Sequence, residues 1–159
     1  MGSVSGEQET MRRVVLVDFP VKVARRAYVH REAMLREFAI IAIGGGEQAD
    51  IPKRLIEIAT VLDERYSGLN PEADVVLDDA VAGNFDHVNL ELQVPRRLKQ
   101  DTLDIAPLLV EVDTYCRGGD LLTLAPSEEI RAFWIWFLLE FVRQADGERP
   151  LSWREFTSA

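Results

Sequence analysis

The feature that most constrains this chain is an apolar segment at residues 132–142, near the C-terminus. It reads Ala-Phe-Trp-Ile-Trp-Phe-Leu-Leu-Glu-Phe-Val, and Glu140 is its one charged residue. A helix that is apolar all round must be covered all round, whereas a surface helix carries a single apolar stripe. The segment is also far shorter than the ~20 residues that span a bilayer. We therefore predict the central helix of a bundle, or a core helix whose outer face docks on another subunit.

The length and net charge of the chain limit how many domains it forms and which partners it binds. The 159 residues fit one domain, and the formal net charge is −9. Binding nucleic acid or an anionic membrane surface requires clustered Lys and Arg, so we expect neither partner. The single cysteine and the polar N-terminus, which lacks a secretory signal, are typical of a cytoplasmic protein. We predict a disordered lead-in over residues 1–11 and a single helical domain over 12–159.

Helix start and stop signals divide the domain into five helices. They predict helices from Pro20 to about Ile43, from Asp50 to Gly68, from Asn70 to Gly83, from Leu98 to Gly118, and from Ser127 through the apolar segment. Pro107 interrupts the fourth helix, and a proline there either kinks or breaks it. The apolar stripe continues across Pro107, which favours one kinked helix. After Asp146 the tail is polar, but Trp153 and Phe156 could fold back onto the body.

Two segments have the pattern of β-strands. Residues 14–17 are apolar and mostly β-branched, and residues 88–94 alternate between apolar and polar side chains, as in a strand with one wet face. The pattern leaves open whether the two strands pair. Residues 121–124 are either a short extended segment or a packed linker. The predicted fold is mainly α, a single-domain bundle of about five helices with one or two short strands, and an α+β fold is the alternative.

Arg31 is the most informative single residue, because it falls on the apolar stripe of the first helix. A buried arginine needs a carboxylate partner. Glu140 is the natural candidate, with Glu111 or Asp113 as substitutes. The simplest interpretation is a structural ion pair; the functional one is an anion site between helices formed by Arg31, His30 and Glu140.

No motif for catalysis, metal binding or cofactor binding is present. The chain has two histidines and one cysteine, and none of them has the spacing of a zinc site. Cys116 falls at the end of a helix, where the helix dipole disfavours a thiolate nucleophile. No nucleophile elbow, phosphate loop or dinucleotide fingerprint occurs. We predict no catalytic residue, no metal and no cofactor.

Two features indicate a surface for a protein partner. Arg25, Arg26 and Arg36 form a basic cluster in an acidic chain, which suits docking of an acidic partner. Trp134 and Trp136 point about 160° apart on a helix that turns ~100° per residue. One of them must therefore face another helix layer or a partner, and Trp136 is our candidate for the partner surface.

Several segments resemble a family of actinobacterial proteins associated with genes for anti-sigma-factor kinases and STAS-domain antagonists. The segments are Val17-Asp18-Phe19-Pro20, His30-Arg31-Glu32, Leu35-Arg36-Glu37-Phe38 and residues 115–124, Tyr-Cys-Arg-Gly-Gly-Asp-Leu-Leu-Thr-Leu. The resemblance implies a regulatory accessory and assigns no residue a role. The chain lacks the Asp-x-Gly-x-Gly motif of those kinases, so it should not itself be one.

These observations lead to two functional hypotheses. The first is a non-enzymatic interaction protein that serves a bacterial signalling or transcription-control circuit and binds a protein partner or a second copy of itself. The second is a small-molecule sensor or enzyme with an anion site around Arg31.

Overall fold

The computed structural model describes residues 10–46, 49–118 and 126–158. Within these ranges, six helices and two strands follow in the order β1 (Met11–Pro20), α1 (Val21–Gly44), α2 (Asp50–Tyr66), α3 (Pro71–Ala82), β2 (His87–Pro95), α4 (Leu98–Gly118), α5 (Glu128–Ala145) and α6 (Trp153–Ser158). The mainly α fold with short strands is confirmed. The strand β1 begins at Met11, within the lead-in that we predicted to be disordered. The extended segment or linker predicted at residues 121–124 lies outside the described residues.

The helix boundaries follow local signals in the sequence. The Ser127 side chain accepts a hydrogen bond from the Ile130 backbone N–H at 3.2 Å and so caps α5. Pro71 is the first residue of α3, where its missing N–H costs nothing. α4 continues through Pro107 to Gly118, so the prediction of one helix is confirmed.

The strands β1 and β2 pair antiparallel, which settles the pairing that the pattern left open. Val14 faces Leu92 and Leu16 faces Leu90, on the side of the ribbon that packs against the helices. The register shifts between Leu16 and Phe19, and Asp18 there has a φ of 57°. Strict alternation would send Asp18 into the core. The bulge inserts one residue, so that Phe19 is buried instead.

Side-chain amides cover the outer edges of this two-stranded ribbon. Gln144 of α5 accepts from the Val15 N–H at 2.9 Å and donates to the Val15 carbonyl at 2.8 Å. On the other edge, Asn70 accepts from the Gln93 N–H at 2.7 Å and donates to its carbonyl at 3.1 Å. Each amide replaces one residue of a missing neighbouring strand. These bonds satisfy backbone groups that would otherwise offer a template for pairing with another chain.

The apolar side chains pack in two clusters. The larger joins the ribbon, the start of α1, α5 and α6, and its buried aromatic residues are Phe19, Phe133, Trp136, Phe141 and Trp153. The smaller lies between α1, α2 and α4 around Phe38, Leu55, Leu108 and Val112. The helix α5 contacts α1, α4, α6 and β1. It is thus the central helix that the apolar segment predicts.

Two details of the C-terminal half differ from a simple bundle. Trp153 folds back and is buried against Trp136, as anticipated, and it opens a short sixth helix that the sequence pattern did not predict. In addition, α5 is not covered on every side, because Ile135 and Leu139 on its outer face are exposed. Among the described helices, none is both long and apolar enough to cross a membrane.

Candidate functional site

Arg31 does not pair with Glu140, which corrects our expectation. Its guanidinium contacts the carboxylate of Asp63 on α2 at 3.2 Å, and neither Glu111 nor Asp113 takes that place. The Arg31 side chain is only partly buried, and Asp63 is mostly exposed. The arginine lies at the margin of the core, so a carboxylate on the neighbouring helix can reach it from solvent. The pair is a bridge between α1 and α2 rather than a buried ion pair.

Glu140 is fully buried and is satisfied by groups close to it in sequence. Its carboxylate accepts from Arg143 at 2.6 Å, from the Leu151 N–H at 2.7 Å and from Gln144 at 3.1 Å. Gln144 in turn holds the edge of β1. The carboxylate therefore ties the segment after α5 to the helix, and indirectly to the ribbon. His30, Arg31 and Glu140 are not brought together as an anion site, because Arg31 and Glu140 have separate partners.

The two tryptophans of α5 occupy different layers, as their angular separation predicts. Trp136 is fully buried, donates its indole N–H to the Leu151 carbonyl at 2.8 Å and packs against Trp153. Trp134 is partly exposed and packs edge-on against Tyr28 of α1, with ring centroids 5.7 Å apart. Our assignment of Trp136 to a partner surface is wrong, because its ring completes the core.

The nucleophile and metal candidates have ordinary surroundings. Burial raises the pKa of the Cys116 thiol, and the nearby Asp113 and Glu37 carboxylates raise it further. The thiol therefore stays protonated at neutral pH. In the described ranges, no three His, Cys, Asp or Glu side chains gather as ligands of a metal ion would.

A cleft of about 460 Å³ lies between the start of α5 and α6. Ala132, Trp153, Phe156 and Thr157 line it together with Glu128 and Glu129. Arg26 of α1 forms an ion pair with Glu129, so one of the two carboxylates of the cleft already has a cation. The positive end of the α5 dipole also lies here, and it disfavours a second cation. None of the residues predicted for the anion site borders this cleft.

The three arginines of the basic cluster differ in their surroundings, because one forms an ion pair and two lie on an open surface. Arg26 binds Glu129, whereas Arg25 and Arg36 are exposed and pair with no carboxylate of the described residues. Both arginines lie on one outward line of α1, which we call the α1 stripe. Its members recur every three or four residues along the helix: Arg25, Val29, Glu32, Arg36, Ile40 and Ile43. Val29 and Ile40 are 67% and 71% exposed.

A second open surface lies across α4 and α5. The two helices run antiparallel, as two ion pairs show. Lys99, near the start of α4, lies 2.5 Å from Asp146, which follows the end of α5. At the opposite end, Asp113 of α4 lies 3.0 Å from Arg131, near the start of α5. Between these ion pairs, four large aliphatic side chains face solvent. We call them the α4–α5 face: Leu103 (44% exposed), Val110 (68%), Ile135 (52%) and Leu139 (39%).

The sequence predicted the arginines of the α1 stripe and a docking surface on the outer face of α5, but it did not indicate the aliphatic members of the stripe or the contribution of α4 to the α4–α5 face. Helical spacing assigns every apolar residue to a stripe, but it does not show which stripe is covered. Leu103 and Val110 lie on a second apolar line of α4, beside the buried line through Leu108 and Val112. Two apolar lines on one helix are the signal that could have indicated an additional surface.

Comparison with known proteins does not assign this chain to a family. No protein-family model matches the chain, and neither the curated proteins nor the solved structures compared with it gave a match. The resemblance to actinobacterial regulatory accessories therefore stays a prediction.

Proposed function

We propose that this protein is a non-enzymatic interaction protein that binds an acidic segment of another protein along the α1 stripe. The observation that carries the proposal is the pair of exposed arginines, Arg25 and Arg36, without carboxylate partners among the described residues. They stand on the same line of the helix as exposed aliphatic side chains. A role in a bacterial signalling or transcription-control circuit is part of the proposal and rests on the resemblance alone.

The composition of the stripe defines the partner. The two arginines lie three helical turns apart, about 16 Å at 1.5 Å per residue. Val29 lies between them, and Ile40 and Ile43 continue the line. An amphipathic helix with aliphatic residues on one side and carboxylates at its margin would complement this pattern. Glu32 is the one carboxylate on the stripe, so the stripe is net positive on a chain with a net charge of −9.

The second hypothesis, an anion site around Arg31, has less support. An anion would have to displace Asp63 from the guanidinium, and Glu140 is held elsewhere by Arg143 and Leu151. It predicts that an anionic metabolite raises the melting temperature of the wild type but not of Arg31→Met. If no anion of a metabolite panel shifts the wild-type melting curve, the hypothesis loses its basis.

The test of the proposed function is affinity capture from lysate of the native host, with mass spectrometry of what is retained. Wild type is compared with Arg25→Glu/Arg36→Glu, which reverses both charges of the stripe. The matched control is Arg96→Glu/Arg154→Glu, which makes the same change of net charge at two exposed arginines off the stripe. Because charge reversal sets like charges against each other across the contact with an acidic partner, we expect the stripe variant to lose the partner and the control to keep it.

Two results would contradict the proposal. One is a wild-type preparation that retains no other protein. The other is a partner that the stripe variant and the control retain equally, which would place its binding surface elsewhere.

A further inference from the structure

We propose that the α4–α5 face binds a second copy of this chain, so that two antiparallel helix pairs form a four-helix contact. This surface is separate from the α1 stripe, and the inference does not depend on the proposed function. Its basis is the arrangement of apolar and charged side chains on α4 and α5.

The apolar side chains of the face lie on regular helical lines of α4 and α5. On α4, Leu103 and Val110 fall between Lys99 and Asp113 at steps of three or four residues, with the exposed Ala106 between them. On α5, Ile135 and Leu139 follow Arg131 at steps of four. Because the same lines carry residues of the two ion pairs that join α4 to α5, these exposed aliphatic residues lie along the solvent side of the α4–α5 seam. Exposed aliphatic side chains grouped on adjoining lines of two helices are typical of an interaction site.

The charges at the corners of the face show why a second copy fits. At one end α4 contributes the cation Lys99 and α5 the anion Asp146; at the other end α4 contributes the anion Asp113 and α5 the cation Arg131. Cations and anions therefore alternate around the four corners. Asp113 also contacts Arg117 one turn further along α4, at 3.2 Å. All four corner side chains are partly exposed and can take a further contact.

A two-fold axis converts this alternation into complementarity. If the axis lies in the contact plane and runs along the helices, α4 of one copy covers α5 of the other. Lys99 then faces the second copy's Asp146, and Asp113 faces the second copy's Arg131. Each helix gains an antiparallel neighbour, as in an antiparallel four-helix bundle. An isologous contact requires such a self-complementary surface. These contacts between opposite charges offset the mutual repulsion of two acidic chains.

Analytical ultracentrifugation of the full chain tests the inference. We expect the wild type to sediment with twice the monomer mass of 18.0 kDa at micromolar concentrations. Val110→Asp and Ile135→Asp each bury a carboxylate in the contact, so we expect each to raise the dissociation constant at least about a hundredfold. Lys99→Glu, which leaves the apolar side chains intact, should weaken the dimer less and do so more strongly at low salt.

The control variant is Val75→Asp, which places the same charge on an exposed valine of α3. It should remain a dimer. All four variants change exposed or half-exposed positions, and circular dichroism should show an unchanged helix content. A wild-type chain that stays monomeric across the concentration range would overturn the inference, and so would a dimer that survives both Val110→Asp and Ile135→Asp. Dissociation by Val75→Asp alone would place the contact on α3 and also overturn it.

Discussion

Replacement of Glu140 tests the structural account most severely. The carboxylate is fully buried and accepts three hydrogen bonds, from Arg143, Gln144 and the Leu151 backbone N–H. Glu140→Ala removes all three acceptor contacts, leaves the Leu151 N–H without its acceptor and leaves the Arg143 guanidinium with only the longer contact to Glu148, at 3.5 Å. Glu140→Gln keeps the shape and one oxygen for Leu151 but removes the charge.

The expected magnitudes follow from these contacts. Removing one partner of a buried ion pair costs about 3–5 kcal/mol, and we expect Glu140→Ala to lower the free energy of unfolding by that amount. For Glu140→Gln we expect a loss of about 1–2 kcal/mol, because charged hydrogen bonds become neutral ones. At roughly 2–4 °C per kcal/mol for a chain of this size, the alanine variant should melt about 6–20 °C lower.

Urea denaturation followed by circular dichroism provides the free energies. Glu140→Met/Arg143→Met serves as the control, because replacing both partners with apolar side chains should recover part of the loss seen in Glu140→Met alone. A Glu140→Ala variant within about 1 kcal/mol of the wild type would refute the reasoning, since a buried carboxylate with three donors cannot then be holding the C-terminal segment.

Three further predictions concern separate parts of the fold. Trp136→Ala empties a fully buried site and loses a hydrogen bond, so urea denaturation should show a loss of about 3–5 kcal/mol. Burial and the hydrogen bond to Asp101 raise the pKa of Tyr66 to about 12. The stability that this shift contributes is present below pH ~10 and is lost as the pH rises toward 12. Tyr66→Phe should therefore flatten that decline in alkaline denaturation curves. Asn70→Ala opens one edge of the ribbon, and hydrogen exchange should show faster exchange of the Gln93 amide; unchanged exchange would mean that the Asn70 amide does not protect this edge.

Features set by neighbouring residues were predictable from the sequence. The hydroxyl of Ser127 caps α5 through Ile130, three residues away, and Pro71 starts α3, so both boundaries depend on local chemistry alone. The alternation in residues 88–94 likewise reports one wet and one buried face of β2. The six residues of α6 are too few to show a helical period, and that helix was missed.

Features set by packing between distant elements were not predictable. Arg31 lies on the edge of its stripe, and only the orientation of α2 shows that Asp63 reaches it. The Glu140–Arg143 pair, in contrast, has the three-residue spacing of a local helical ion pair, and that signal was present in the sequence. The edge contact of Gln144 with Val15 spans the chain and leaves no pattern in either segment.

The central functional claim is that the α1 stripe binds an acidic partner. Its most direct measurement is a calorimetric titration of the captured partner with wild type, Arg25→Glu/Arg36→Glu and Arg96→Glu/Arg154→Glu at low and high salt. The account predicts binding by wild type and control that weakens with salt, and at least a tenfold loss, about 1.4 kcal/mol, for the stripe variant. Equal affinity of all three proteins would contradict it.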